Sequence, residues 1–494
     1  MSQPAQTSDL STTFLSGVGR RIFSFPVVLA CAITYLVFLL SRRDIADPDL
    51  WWHLRNAQYL LIGGHLPVVD SYSYTVPGAG VTPFEWLAEI PYYLAYRWAG
   101  LPAVFLVVFL LSTGILLGVF RLSYLASHDV KNSFLVTVGA AVMAAVSIGA
   151  RTLLFGWLYL VVLLLILEGV RGDSWKLLWL VPPLFCVWVN SHGSWPMGMV
   201  VFGIFIVSGM VEGRWGHAYA VRWSPRLLRR LLITAGASGL ALFINPLGYR
   251  LVLYPFEAMF GARSAVYMTT EFASVDFHTP WGKVAILLIL GVLLIAVFSR
   301  ERWRLDEVAF VVLALYFSLT YIRFIFLAAI LVSPIFAKRL KLMSPYDPKS
   351  DKWLYNAVAL AILFFLFILS KPTQSEYRNL VNYPEGAVVY MKTNGVRDRV
   401  FHDWVWGGYL IWRTPELKVF IDGRADPYGP TGVFKDYLSA VSNEDPQAVF
   451  DKYQVEYVLM PPNSPLAKSL QHSPKWAMQY SDETSVLFHR SPTS

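Results

Sequence analysis

The sequence predicts a mostly α-helical, polytopic membrane protein of about 11 transmembrane helices, followed by a C-terminal extracytoplasmic α/β domain. Three observations predict it. Apolar runs of roughly 18–22 residues recur through the first three quarters of the chain, near the length a bilayer requires. Basic residues gather in short loops between those runs: Arg214, Arg222, Arg226, Arg229 and Arg230 in one, Arg300, Arg302 and Arg304 in a second, Lys338, Arg339 and Lys341 in a third. After Lys371-Pro372 the apolar runs stop and the composition becomes that of a soluble domain.

Bulk composition excludes several function classes. Over 494 residues the chain is 55% hydrophobic and only 15% charged, with a mean hydropathy of +0.48, too evenly apolar for a soluble enzyme of this length. The net charge of +8 does not mark a nucleic-acid binder, because its placement follows the positive-inside pattern. The two cysteines, Cys31 and Cys186, both lie in apolar spans, which excludes a disulfide framework and a cysteine-based zinc site.

In chain order, residues 1–21 form a polar cytoplasmic tail ending on Arg20 and Arg21. The membrane domain covers 22–370. Its first run, 22–40, is too long for a signal peptide and lacks a small-residue cleavage site, so it reads as a retained span. A first external loop, 42–101, carries two amphipathic helices, 47–62 and 84–98, the second lying along the interface. A turn-rich segment with Pro67, Asp70, Pro77, Gly78 and Gly80 joins them. Further spans fall near 102–124, 132–149, 153–170, 177–190, 196–212, 231–245, 281–299, 306–322, 324–337 and 353–370. An odd number of crossings puts the N-terminus in the cytoplasm and the C-terminal domain outside, and each basic loop then falls on the inner face. That describes a bacterial-type inner membrane protein with a periplasmic or extracellular C-terminal domain.

The external loop opens on the stretch from Asp44 to Arg55, which holds Asp44, Asp47, Asp49, Trp51, Trp52, His53 and Arg55. Asp47 reads as an N-cap, Pro48 as the first helical residue and Gly63-Gly64 as the stop. On that helix Asp49 and His53, four apart, share a face. Asp47 also reads as a cap and nothing more, and Asp49 as a complement to the helix dipole. Polar residues sit at the same ends of later spans: Arg151, Asn190, His192, Asn245, Glu271, Asp276, His278 and Arg323. A charge at mid-bilayer costs about 2.5–3.5 kcal/mol, so such residues usually line a cavity. Taken singly, Asn190 and Asn245 equally cap helix ends, and Arg151 and Arg323 equally snorkel to headgroups. Taken together they converge on the face of Asp47 and Asp49.

An acid at the outer lip of a multi-span cavity suits a reaction on a lipid-linked substrate, as general base on an acceptor hydroxyl or as ligand to a divalent cation on a phosphate. Asp47 and Asp49 are near enough in sequence to share Mg²⁺ or Mn²⁺. His53, Arg55, Arg151, His192, Glu271 and Arg323 are the candidates for substrate and phosphate contacts, with Arg151, His192 and Arg323 placed to stabilise a phosphate leaving group.

Alternating segments fill 371–494: strands near 399–403, 418–422, 456–460, 476–480 and 485–489, and helices near 385–393, 406–412, 432–442, 446–453 and 465–471. They suggest a small, partly parallel sheet closed by a hairpin and seated over the acidic loop. Asp422-Gly423-Arg424 and Asp426 read either as the rim of a ligand site or as a turn and nothing more.

Asp49 to Arg55, then Gly63 to Pro67, Asp70 to Thr75 and Pro77-Gly78, resemble the first external loop of oligosaccharyltransferase catalytic subunits. More broadly the chain resembles the GT-C superfamily of polyprenyl-phosphate-dependent glycosyltransferases, whose topology it matches along its whole length. By that resemblance Asp49 corresponds to the catalytic acid, Asp47 to the first position of the acidic motif and Glu271 to the late-loop glutamate. The chain departs from the oligosaccharyltransferases in two places. Where they carry a second acidic motif, between spans three and four, it has Ala150-Arg151-Thr152. Where they carry WWDYG it has Trp404-Val405-Trp406-Gly407-Gly408-Tyr409. The resemblance therefore implies a GT-C relative rather than an N-glycosylation enzyme: a membrane glycosyltransferase moving a sugar from a polyprenyl-phosphate-linked donor to a lipid, glycan or protein acceptor. The alternative is a non-enzymatic component of envelope polysaccharide assembly or export, which would tolerate change at Asp49.

Overall fold

The computed structural model describes residues 21–42, 47–260, 272–340, 343–372, 383–397, 399–424, 426–429, 431–442, 444 and 446–491. The chain is mostly helical, with a few short strands. Helix α1 (Phe25–Ser41), with Pro26 in its first turn, buries Ile33, Val37 and Phe38. The acidic loop supplies α2 (Leu50–Gly63) and α3 (Trp86–Ala99). Next come α4 (Leu101–Ser127), α5 (Val130–Ala144), α6 (Leu153–Arg171), α7 (Val181–Ser191) and α8 (Trp195–Ser208). A hairpin of β1 (Gly213–Trp215) and β2 (Ala218–Ala220) leads to α9 (Pro225–Ala241) and α10 (Tyr249–Phe260). Then follow α11 (Pro280–Phe298), β3 (Trp303–Arg304), α12 (Leu305–Thr320), α13 (Ile325–Arg339) and α14 (Trp353–Leu369).

Helix α13 is apolar nearly all round and is buried along most of its length among α4, α5 and α12, the position such a pattern dictates. On α11, Leu287, Leu290, Leu293, Leu294, Val297 and Phe298 are exposed, and on α14 Ile362, Phe364 and Phe365 are. Apolar faces of that size belong against lipid.

A helix occupies every stretch expected to cross the membrane, but among the described residues only α4, α6 and α11 are long and apolar enough to cross by themselves. The expected number of crossings, eleven, exceeds that because several apolar runs break early. Helix α5 has 15 residues, about 22 Å against a hydrocarbon core of about 30 Å. Its expected continuation turns at 145–147 to deliver Arg151. The 177–190 run is likewise split, a 3₁₀ segment at Trp175–Leu180 preceding α7.

The three basic loops are tied together. Strand β3 adds parallel to β2, Arg171 reaches Asp306 at 2.6 Å, and Lys338 and Arg339 reach Glu307 at 3.2 and 2.5 Å. Buried acids thus neutralise a cluster that sequence alone presents as uniformly basic.

The C-terminal domain contains α15 (Glu385–Thr393), β4 (Val400–His402), α16 (Gly407–Arg413), α17 (Val433–Val441), α18 (Pro446–Lys452), β5 (Tyr457–Met460), α19 (Pro465–Gln471), β6 (Trp476–Ser481) and β7 (Val486–Arg490). Its sheet runs β4-β5-β7-β6, with β4 parallel to β5 and the remaining pairs antiparallel. The strand expected over 418–422 does not join it. Instead the Val419 N–H donates to the Tyr72 carbonyl (2.9 Å), and the Tyr74 N–H to the Val419 carbonyl (3.1 Å). The Thr75 hydroxyl donates to the Phe420 carbonyl (2.7 Å), and the Phe420 N–H to Nε2 of His402 (3.1 Å). The extended backbone finds its partners in the acidic loop, which therefore serves as part of the C-terminal domain. Trp51 and Trp52 of α2 lie in one apolar cluster with Trp406, Tyr409 and Leu410, so the two regions share a core.

Candidate functional site

The site is built at the start of α2. That helix begins two residues later than expected: Asp49, not Asp47, is its N-cap, and Gly64 at φ +70° ends it. Pro48 and Asp49 form a turn held by Asp47, whose Oδ1 accepts the Asp49 N–H (3.0 Å) while its carbonyl accepts the Leu50 N–H (3.0 Å). The other oxygen of Asp47, Oδ2, accepts from Nε of Arg151 at 2.6 Å. The Arg151 carbonyl in turn takes the hydroxyl of fully buried Tyr92 (2.9 Å).

Asp49 is half-buried, and its Oδ1 accepts from the Trp52 indole at 3.0 Å. Burial and the neighbouring Asp47 charge push its carboxyl up to about 6, against the lowering effects of His53, the indole hydrogen bond and Arg151. A carboxylate with that affinity is suited to take a proton near neutral pH.

One turn on, His53 is buried and donates from Nδ1 to Glu89 (2.8 Å), with Glu85 3.9 Å from its Nε2. Burial pulls its imidazole down, but the Glu89 hydrogen bond and the charges of Glu85, Glu89 and Asp49 outweigh that and hold it above its ordinary value. Asn56 donates to Glu89 (3.0 Å) and accepts from Tyr72 (2.9 Å). Glu85 takes the Thr152 hydroxyl. Burial drives the Glu85 carboxyl up to about 7, opposed by His53, Thr152 and Arg323. His192 is 3.6 Å from Glu85 through Nε2, and its Nδ1 accepts the Ser194 N–H at 3.0 Å, which places the imidazole proton on Nε2. Burial, then Arg323 and His53, hold His192 neutral.

Asp47, Asp49, His53, Arg151 and His192 thus come together, with the Arg323 charge acting on Glu85 and His192. Arg55 does not join them: it donates to Gln58 (2.6 Å) and lies over the Tyr59 ring. Glu271 lies outside the described residues. Asn190 and Asn245 bond backbone carbonyls at helix ends, and Asp276 holds a turn at His278.

Sequence reasoning missed Glu85 and Glu89 as members of the site. It expected α3 along the membrane interface, whereas the helix turns its acids inward and buries Ala88, Glu89, Tyr92 and Tyr93. Two acids four apart in an otherwise apolar, aromatic segment were the available sign.

The C-terminal domain closes the site. Gly423 abuts the Asp49 carboxylate so tightly that a Cβ there would overlap Oδ1, and a Cβ on Gly408 would come within 2.6 Å of the Pro48 carbonyl. The glycines of the Trp404–Tyr409 motif and of the Asp422–Arg424 turn are therefore close-approach residues. Asp426 accepts from the Tyr254 hydroxyl (2.5 Å), and Tyr254 stacks on Phe84 (4.4 Å), bringing α10 over the same cluster. Gly423→Ala is expected to displace the Asp49 carboxylate and weaken any chemistry it performs, with little change in thermal unfolding. Gly408→Ala, which meets backbone, is expected to lower the unfolding temperature. A thermal melt of each variant beside a turnover assay separates the two.

A cation shared by Asp47 and Asp49 does not fit this arrangement. Both oxygens of Asp47 are engaged, one of them by a guanidinium, and no group of three metal-binding side chains occurs among the described residues.

The fold is similar to that of solved oligosaccharyltransferases. One is the Archaeoglobus fulgidus oligosaccharyltransferase tethered by a disulfide bond to an acceptor peptide containing the NVT sequon. It matches with TM-score 0.51 and 13% identity over 94% of this chain and 74% of that one. Another, the archaeal oligosaccharyltransferase AglB from the same organism in complex with an inhibitory peptide and a dolichol-phosphate, matches with TM-score 0.52 and 11% identity over the same shares. No protein family and no curated protein matches the chain.

Proposed function

From a membrane-embedded, oligosaccharyltransferase-like GT-C fold, we propose that the chain is a glycosyltransferase that moves a sugar from a polyprenyl-phosphate-linked donor to a lipid, glycan or protein acceptor. The reaction takes place at the outer face. The chain crosses the membrane about eleven times, with its N-terminus in the cytoplasm and its C-terminal domain in the periplasm or outside the cell. One observation carries the reading: Asp49, its proton affinity raised toward neutrality, lies directly against Gly423 of the C-terminal domain.

In this reading the Asp49 carboxylate takes the proton of the acceptor's nucleophilic group as that group attacks the anomeric carbon of the sugar. The bond from that carbon to the phosphate oxygen breaks, and the electron pair leaves with the polyprenyl phosphate. Arg151, Arg323 and the His192 Nε2–H are the groups that stabilise the charge developing there in this reading. His53, held by Glu89, is a positioning residue on the Asp49 face. No step is routed through a metal.

The test is turnover by purified protein in lipid nanodiscs, offered a panel of polyprenyl-phosphate sugars. Release of polyprenyl phosphate with sugar appearing on an acceptor supports the reading. Absence of both binding and release across the panel sinks it in favour of an assembly role.

A further inference from the structure

Across the helical domain from Asp49 lies a second polar centre, which the proposed chemistry does not use. Helix α6 starts two residues past Arg151 and ends at Arg171, so it carries the chain about 28 Å away from the acidic loop. There α4, α6, α8, α12 and α13 enclose a cavity of about 50 Å³. Its closed end is apolar: Leu122, Leu167 and Phe205 line it and are 4%, 2% and 2% exposed. Its mouth is charged: Glu168, Arg171 and Arg304 line it with side chains 26%, 23% and 25% exposed.

The two cations of the mouth are held unequally. Arg171 is fixed, its Nη2 meeting Asp306 at 2.6 Å while its guanidinium lies over the rings of Phe205 (5.0 Å) and Trp223 (5.4 Å). The Arg304 guanidinium is held loosely. Its ion pairs with Asp306, Glu307 and Glu168 measure 3.3, 3.5 and 3.8 Å, at or beyond the long limit of a hydrogen bond. Because Lys338 and Arg339 also draw on Glu307, the cations of this cluster outnumber its acids. Surplus positive charge above an apolar floor matches an amphiphile whose anionic head carries a hydrocarbon chain. Between membrane helices, at the face that gathers the basic loops, that amphiphile is an anionic phospholipid.

We propose that the pocket binds an anionic phospholipid of the inner leaflet, its phosphate on Arg304 beside Arg171 and the start of one chain against Leu122, Leu167 and Phe205. The cavity holds a few water-sized groups, which is room for the first carbons of a chain and not for a whole lipid. The rest of the molecule stays in the bilayer. The inner-leaflet assignment rests on the orientation proposed above; the binding rests on the pocket and needs no sugar transfer.

The experiment titrates the delipidated full chain in detergent with dioleoylphosphatidylglycerol or dioleoylphosphatidylcholine and counts retained lipid by native mass spectrometry. Wild type is expected to hold one phosphatidylglycerol about tenfold more tightly than phosphatidylcholine, and millimolar inorganic phosphate should not displace it. Arg304→Gln is expected to weaken that binding at least about fivefold, the share of one basic residue. Ala126→Leu narrows the pocket wall without changing charge, and is expected to weaken it as much. That variant separates a pocket from general attraction to a basic face. Equal retention of the two lipids by wild type overturns the proposal, as does phosphatidylglycerol affinity unchanged in either folded variant. Displacement by inorganic phosphate also overturns it, in favour of a free-phosphate site. Should a variant fail to fold, the wild-type comparison and the other variant still decide.

Orientation is read separately, with a membrane-impermeant maleimide on Ser174→Cys, an exposed position just past α6. Labelling only after the cells are opened supports the inner leaflet. Labelling in intact cells overturns that assignment, and the lipid titration in detergent still judges the pocket.

Discussion

Replacing Asp49 with Asn is expected to lower transfer by about 10²–10⁴-fold, the usual share of a positioned base, while the protein remains folded in membranes. The fold expectation follows from sign. The carboxyl of Asp49 lies at about 6 in the folded chain against 3.8 ordinarily, chiefly because burial and the Asp47 charge disfavour its ionised form. The folded state therefore binds that proton more tightly than the unfolded state does. Stability associated with this group falls as pH rises from about 4 to about 6 and stays lowered above that. An amide carries no such penalty, so the thermal midpoint of Asp49→Asn at neutral pH should equal or exceed that of wild type. Asp47→Asn should do the opposite, because it leaves the Arg151 guanidinium without its 2.6 Å partner. In wild type the base must be ionised, so transfer should rise with pH through a limb near 6. Turnover as a function of pH, with melts of the three proteins, checks all of this. Wild-type turnover in Asp49→Asn would remove Asp49 from the chemistry.

What the sequence revealed of this site is what local spacing dictates. Asp49 and His53 share a face because they are four apart, wherever the helix starts, so a two-residue error in the N-cap left the pairing intact. Arg151 and His192 could be gathered because each lies at the end of an apolar run, where a charge needs a reason to be. Glu85 and Glu89 escaped because amphipathicity says that a helix has a polar face, not whether that face meets water or a buried histidine. Arg55 was misplaced by proximity: two residues beyond His53, it points away from it. The 418–422 segment has strand chemistry, but its partner is the acidic loop nearly 350 residues earlier, which no local pattern encodes. The number of crossings rests on the same kind of reading, because apolar length alone does not distinguish one spanning helix from a helix plus a turn that returns to a site.

The second large effect is expected at Arg424, which no sequence reading could separate from an ordinary turn residue. Its guanidinium bonds Asp422 through Nε (2.8 Å) and Nη2 (2.7 Å), reaches Asp70 of the acidic loop at 2.6 Å, and lies over the Tyr72 ring at 4.6 Å. Asp422 also accepts from Tyr428 (2.7 Å), and Asp70 from the Ser73 hydroxyl and N–H (2.7 and 3.1 Å). All three charges are buried. Removing the cation leaves two carboxylates in a closed site, so Arg424→Ala is expected to destabilise the protein by about 3–5 kcal/mol. Asp70→Asn keeps the bidentate Asp422 pair and one acceptor oxygen for the guanidinium, and its cost should be nearer 1–2 kcal/mol, about that of a charge-assisted bond made neutral. Little of either effect should respond to salt, because buried pairs are poorly screened. Function should follow. Gly423 lies between Asp422 and Arg424 in sequence and rests on the Asp49 carboxylate, so loosening this turn loosens the site. Thermal unfolding and limited proteolysis of the full chain, at low and high salt, provide the check. An Arg424→Ala protein as stable as wild type would mean that the cluster does not hold the acidic loop to the C-terminal domain. A stable variant that nevertheless loses transfer would assign Arg424 to the chemistry rather than to the fold.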